Sequence, residues 1–204
     1  MTLLIITAVE NEAEALRQAA PASITIAAVG AGPAAAAAGA ARLLATGTYE
    51  AVISAGIAGA FKGRADIADL VLATRSIAAD LGAESPTGFL PIDTLGFGTT
   101  TIPADPALLK TLQTALPTAK SGDILTLATV TGTAETTARL ATTHPEALAE
   151  AMEGHGVATA AKAAGVPFAE LRAISNLIGP RDRESWRLKE AFEALSNAAA
   201  DLRW

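Results

Sequence analysis

The chain has 204 residues, half of them apolar but only 4% aromatic, and a formal charge of −6. That supplies enough apolar material for one α/β domain over residues 1–204, and an alanine-dominated apolar set points to helices packed closely on a sheet rather than to a sandwich of bulky side chains. The scattered Lys and Arg residues form no basic stripe for a nucleic-acid partner, the lack of cysteine excludes disulfides, and His144 and His155 have no acidic or thiol neighbours at metal-ligand spacing.

The segment from Met1 to Ala8 is apolar but lacks a basic stretch, and Glu10, Glu12 and Glu14 follow at once, which argues against a signal peptide. No other stretch is apolar for a full membrane span, so a cytoplasmic protein with no membrane partner is expected. Leu3 to Val9 is a continuous apolar run of the kind that forms a strand buried on both faces, and Ile24 to Val29 and Ala51 to Ser54 read the same way. Each ends in small or special residues: Ala8-Val9-Glu10, Gly30-Ala31-Gly32-Pro33, and the glycine turn Gly56-Ile57-Ala58-Gly59. Functional groups of open α/β sheets gather at such strand ends.

Pro33 to Thr46 is predicted as a tightly packed alanine-rich helix with proline in its first turn. Asp69 to Ala73 and Ile124 to Val130 are predicted strands. Pro145 to Ala164 reads as a helix that breaks or restarts around Glu153-Gly154, Phe168 to Ser175 as the last strand, and Glu184 to Arg203 as a closing amphipathic helix. Between them Asp80 to Pro103, with Gly82, Pro86, Gly88, Pro91, Gly96 and Gly98, reads as a long functional loop.

Four segments stand out in order: Ala8-Val9-Glu10-Asn11-Glu12; Val52 to Ala60 with its glycines; Ala151-Met152-Glu153-Gly154; and Val166-Pro167-Phe168 running into Arg172-Ala173-Ile174-Ser175-Asn176. This series resembles the methylthioadenosine/S-adenosylhomocysteine nucleosidases and their relatives in the nucleoside phosphorylase superfamily, over nearly the whole chain. The adenine-directed members have aspartate where this chain has Asn176. Together with Asn176 to Trp186, Ala79 to Glu84, Gly88-Phe89 and Leu95-Gly96-Phe97, that departure looks like the futalosine hydrolase branch, whose members act on a menaquinone precursor. The resemblance implies a mixed central sheet flanked by helices, hydrolysis of a purine nucleoside without cofactor or metal, and a homo-oligomer, often a dimer whose partner closes the 5′ side of the pocket.

The chemistry of a purine leaving group makes the asparagine intelligible. The glycosidic bond breaks through an oxocarbenium-like transition state, so negative charge builds on the base while water approaches the opposite face. Hypoxanthine presents acceptors at N7 and O6, which suit the two donors of an amide and would repel an ionised carboxylate. Asn176 alternatively just ends a strand or caps a turn before Gly179-Pro180.

The resemblance assigns Glu12 as the carboxylate that activates water, Glu153 as the acceptor for the ribose 2′- and 3′-hydroxyls, and Met152 as a packing partner of the sugar. Glu10 and Glu14 fit the acidic first turn of a following helix, a role equally open to Glu12, and Glu153 is alternatively an exposed helix glutamate. Gly56 to Ala60 has the composition of an anion cradle. Yet Ile57 stands where related nucleosidases have serine, and no basic residue follows the first strand, so hydrolysis is expected over phosphorolysis. The turn would then let backbone approach sugar or water. Val130, in Thr129-Val130-Thr131-Gly132-Thr133, falls where relatives wall the base, or is an ordinary buried strand valine. Arg181 and Arg183 are candidates for a substrate carboxylate at the 5′ side, or are surface partners of Asp182 and Glu184. Rival functions are a nucleosidase for methylthioadenosine or 6-amino-6-deoxyfutalosine, a phosphorylase, and a non-catalytic nucleoside-binding protein.

Overall fold

A computed structural model describes residues 2–203. Strand β1 (Leu3–Thr7) is buried on both faces and lies parallel between β2 (Ile24–Ala28) and β3 (Ala51–Ala60). Its alternate residues feed two cores: Leu3 and Ile5 pack with Leu16, Ile53 and Leu171, whereas Leu4 and Ile6 pack with Val52, Val157 and Phe168. This two-sided burial is why the run carries no polar alternation.

Helix α1 (Glu10–Arg17) follows β1, and α2 (Pro33–Thr46) follows β2 at the boundaries expected from Pro33 and the alanines. Small residues let α2 lie close to α6 (Gly154–Ala164): Ala36 and Ala40 meet Ala158 and Ala161 in one core, and a Cβ on Gly156 would stand 2.3 Å from the Pro33 carbonyl oxygen.

β3 does not stop at Ser54. It continues through Gly56-Ile57-Ala58-Gly59 to Ala60, so the expected glycine turn is extended strand. Its partner over this whole length is β10 (Phe168–Leu177), parallel, with a register shift between Ile174 and Asn176. β10 also pairs antiparallel with β4 (Leu70–Ala78), which runs parallel to β8 (Lys120–Thr126) and takes the short β7 (Thr101–Pro103) on part of its length. β9 (Ala147–Ala151) is parallel to β8 and meets β3 antiparallel at Gly59 and Ala60. The mixed eight-stranded sheet thus closes on itself through β3, β10, β4, β8 and β9, with helices outside.

Three further expectations are corrected. The first half of the helix predicted over Pro145 to Ala164 is strand β9, because Ala147, Ala149 and Ala151 alternate into the core; only the restart at Gly154 is helical. The strand predicted over Ile124 to Val130 ends at Thr126, and the chain then turns outward. The long loop over Asp80 to Pro103 holds a hairpin of β5 (Gly82–Ser85) and β6 (Gly88–Pro91), the single turn α3 (Ile92–Leu95) and β7. Two helices went unpredicted: α4 (Pro106–Ala115), capped by Asp105, and α5 (Ala134–Thr143), capped by Thr133. α7 (Leu188–Asp201) closes the chain and begins four residues later than predicted. Among the described residues no helix is long and apolar enough to cross a membrane.

Candidate active site

The ends of β1, β3, β9 and β10 converge on a cavity of about 230 Å³. Glu12, Ile57, Val130, Met152, Glu153, Asn176 and Arg181 all line it, although their segments are spread along almost the whole sequence. Arg183 lies outside the lining, and Gly56 stands just behind it.

Glu12 occupies the third position of α1, and its carboxylate turns back over the helix start. Oε2 accepts from the backbone N–H groups of Ala8 (3.0 Å) and Val9 (3.2 Å), and Oε1 accepts from that of Ile57 (2.9 Å). The helix-start role and a cavity-facing position are therefore combined in one side chain. Glu10 and Glu14 are exposed, and Glu10 pairs with Arg17 on the surface. Glu12 is only 3% exposed, and burial raises its pKa above 4.5; Arg172 and the Ile57 and Val9 N–H groups pull it back, and the charge of Glu153 adds to the rise.

Gly56 is needed here for space rather than for a turn. A Cβ at this position would stand 2.4 Å from Glu12 Oε1 and 2.8 Å from Arg172 Nη1.

Arg172, wholly buried in β10, ties the carboxylates together. Its Nε donates to Glu170 Oε1 (3.0 Å), Nη2 to Ser54 Oγ (3.0 Å), and Nη1 reaches Glu153 Oε2 (3.4 Å). Burial opposes its charge, but Glu170, Glu153 and Glu12 outweigh that and keep its pKa raised. Glu170 is equally buried, with a pKa raised by that burial against the pull of Arg172, and it fits because residue 154 is glycine: a Cβ there would stand 2.1 Å from Glu170 Oε2. Glu153 completes the set, its Oε1 accepting from Gly32 N–H (3.1 Å) and its Oε2 from Met152 N–H (3.3 Å). It is buried at the entry to α6, not exposed on a helix.

Across the cavity, Asn176 follows the register shift in β10. Its Oδ1 accepts from Ser175 Oγ (2.9 Å) and its Nδ2 donates to the Leu177 carbonyl (3.1 Å), leaving the second amide hydrogen for a ligand. Val130 is 37% exposed beyond the end of β8, so it is a wall residue on a loop and not a buried strand valine.

The segment after β10 folds over the cavity mouth. The Arg181 backbone N–H donates to the Gly132 carbonyl (3.2 Å), and its guanidinium lies 5.4 Å from the Trp186 ring centroid, with Arg183 at 5.8 Å from the same ring. Among the described residues neither arginine forms an ion pair with Asp182 or Glu184, so the surface-partner alternative does not hold. Arg181 is the one cation of a lining that also includes Glu12, Glu150, Glu153 and Asp182. An incoming phosphate would meet an acidic wall.

Sequence reasoning missed Arg172, Glu170, Glu150 and Trp186. The available signal was a pair of charged residues inside an apolar strand, Glu170 and Arg172, which only mutual pairing makes tolerable in a core.

The model of the phosphorylase superfamily matches residues 18–203. The chain is 47% identical to futalosine hydrolase of Streptomyces coelicolor, over 99% of this chain and 95% of that one. In fold it is similar to the methylthioadenosine/S-adenosylhomocysteine nucleosidase of Neisseria meningitidis in complex with methylthio-immucillin-A, with TM-score 0.85, 22% identity, and 98% and 97% of the two chains covered. It is equally similar in fold to the native futalosine hydrolase of Helicobacter pylori, with TM-score 0.85, 18% identity, and 98% and 96% of the two chains covered. With the fold, the superfamily match and close identity over nearly the full length of both chains in agreement, this chain belongs to the phosphorylase superfamily and, within it, to the futalosine hydrolases.

Proposed function

We propose that this chain, a single domain over residues 1–204, hydrolyses the N-glycosidic bond of futalosine and releases hypoxanthine. The observation that carries the reading is the opposition, across one cavity, of the buried Glu12 carboxylate and the Asn176 amide with its uncommitted donor. Its nearest support outside the molecule is the identity to the Streptomyces enzyme.

In this reading water bonds to C1′ of the ribose as the bond from C1′ to N9 breaks, the bond electrons leaving with the base. Glu12 takes the proton of the water, for which a raised carboxylate pKa is suited. Asn176 donates to the N7 and O6 edge as charge develops there. Glu153 accepts from the ribose 2′- and 3′-hydroxyls, Met152 packs on the sugar, Val130 walls the base, and Ile57 with the Gly56 backbone lines the sugar and water side. Arg181, held against Trp186 at the mouth, takes the carboxylate at the 5′ end of the substrate. A homo-oligomer in the cytoplasm, with no nucleic-acid or membrane partner, completes the proposal.

The test is base release from futalosine, inosine, methylthioadenosine and 6-amino-6-deoxyfutalosine, each with and without phosphate. The acidic lining predicts turnover of futalosine without phosphate and a free sugar as product. Strict phosphate dependence, or preference for the 6-amino nucleosides, would overturn the reading.

A further inference from the structure

At the far end of β3 three strands lie side by side. Gly59 pairs with Asn176 of β10 on one side and with Glu150 of β9 on the other. Cross-strand partners share a face, so the two polar side chains flank the bare backbone of Gly59, roughly 10 Å apart as two interstrand spacings. Both line the cavity. A Cβ on Gly59 would stand 3.1 Å from Asn176 Nδ2, so the glycine keeps the floor between them open to a flat ring.

Glu150 is 5% exposed, and both of its oxygens are engaged by one residue: Oε1 accepts from the Thr131 backbone N–H (2.8 Å) and Oε2 from the Thr131 hydroxyl (2.6 Å). Thr131 sits beside Val130 in the cavity wall. Its donors, which would otherwise face a ligand, are committed to the carboxylate. A carboxylate has about four acceptor positions and Thr131 uses two, so this wall offers a base acceptors and no donor.

That polarity distinguishes the two classes of purine. A 6-oxopurine in its lactam form carries a hydrogen on N1, next to O6; a 6-aminopurine has a bare lone pair on N1. We infer that Glu150 is a specificity-determining residue that accepts the N1–H of a 6-oxopurine while Asn176, across Gly59, donates to the N7 and O6 edge. A 6-aminopurine at the same place sets its N1 lone pair against a carboxylate and is rejected. The inference rests on the reading of the cavity as a purine nucleoside site and adds the group that reads N1.

The experiment compares kcat/KM for futalosine and for 6-amino-6-deoxyfutalosine in the wild type, Glu150→Gln and Thr131→Val. The glutamine oxygen still accepts from Thr131, whereas its NH2 now meets N1. The ratio of futalosine to 6-amino analogue is expected to fall at least tenfold in Glu150→Gln and to stay within twofold in Thr131→Val, which keeps the carboxylate. A ratio unchanged within twofold in Glu150→Gln, with both substrates losing rate alike, would reduce Glu150 to an anchor for Thr131 and overturn the inference. Should that variant fail to fold, inhibition of the wild type by hypoxanthine and 1-methylhypoxanthine decides: at least tenfold weaker inhibition by the methylated base supports the inference, and equal inhibition overturns it. Wild-type rates judge the site itself. No turnover of futalosine removes the site reading and this inference with it, while turnover with an unchanged ratio removes the inference alone.

Discussion

Gly56 and Glu12 approach so closely that a methyl group on the glycine would stand 2.4 Å from Glu12 Oε1, well inside contact distance. The strand backbone and the helix-start carboxylate are thereby locked together, since the N–H of the next residue, Ile57, donates to the same oxygen. Gly56→Ala is expected to push the carboxylate and Arg172 apart, destabilising the fold by about 1–3 kcal/mol, the usual cost of overpacking. A displacement of the base by about 1 Å lowers turnover on the order of 10²-fold. Thermal unfolding and kcat measured together check this; an unchanged kcat would show that the position of Glu12 is not set by Gly56.

Glu12→Gln is expected to retain ligand binding and to lose turnover by about 10²-fold or more, because an amide cannot take a proton from water. Binding of hypoxanthine by calorimetry alongside futalosine hydrolysis separates the two effects. Near wild-type turnover would leave Glu12 as a helix-start residue and nothing more.

The pH dependence follows from the direction of the Glu12 shift. Burial raises its pKa above 4.5, and a general base works only when deprotonated, so the acid limb of the kcat/KM profile is expected to have its midpoint above 4.5. For stability, the folded chain holds this proton more tightly than the unfolded chain does. The contribution of Glu12 is therefore fully present below 4.5 and is lost as pH rises through the raised value. A kcat/KM profile flat from neutral pH down to below 4.5 would contradict the assignment.

The legible parts of the molecule were those whose sequence signal was local. β1, β2 and α2 followed from unbroken apolar runs and from Pro33, and the Met152-Glu153 pair from a recognisable motif. The extension of β3 was hidden because Gly56 and Gly59 read as turn residues, whereas their missing side chains serve Glu12, Arg172 and Asn176 from other segments. β9 was hidden because Ala-Leu-Ala-Glu-Ala has the composition of a helix; only closure of the sheet between β8 and β3 makes it a strand. Arg172 was quoted within a motif without a role, since its partners Ser54, Glu153 and Glu170 are assembled only by the fold.

Asn176 offers the sharpest test of substrate choice. Its Nδ2 already donates to the Leu177 carbonyl and keeps one hydrogen for the cavity, while its Oδ1 is turned to Ser175. A donor aimed at the base strengthens its bond as negative charge develops on the purine, so Asn176→Ala is expected to depress kcat for futalosine more than it raises KM. Asn176→Asp places a carboxylate oxygen against the Leu177 carbonyl, a contact that favours the protonated acid. The acid carries one proton: given to the Leu177 carbonyl it leaves an oxygen that accepts from a 6-amino group, and turned to the cavity it donates to N7; ionised, the residue repels O6. The preference should therefore move toward 6-amino-6-deoxyfutalosine or methylthioadenosine, with modest absolute rates because Glu150 still presents an acceptor to N1. The measurement is the ratio of kcat/KM for futalosine to that for 6-amino-6-deoxyfutalosine, in the wild type and in Asn176→Asp. A ratio unchanged within twofold would mean that Asn176 does not read the 6-position, leaving the discrimination to the Glu150 side of the cavity.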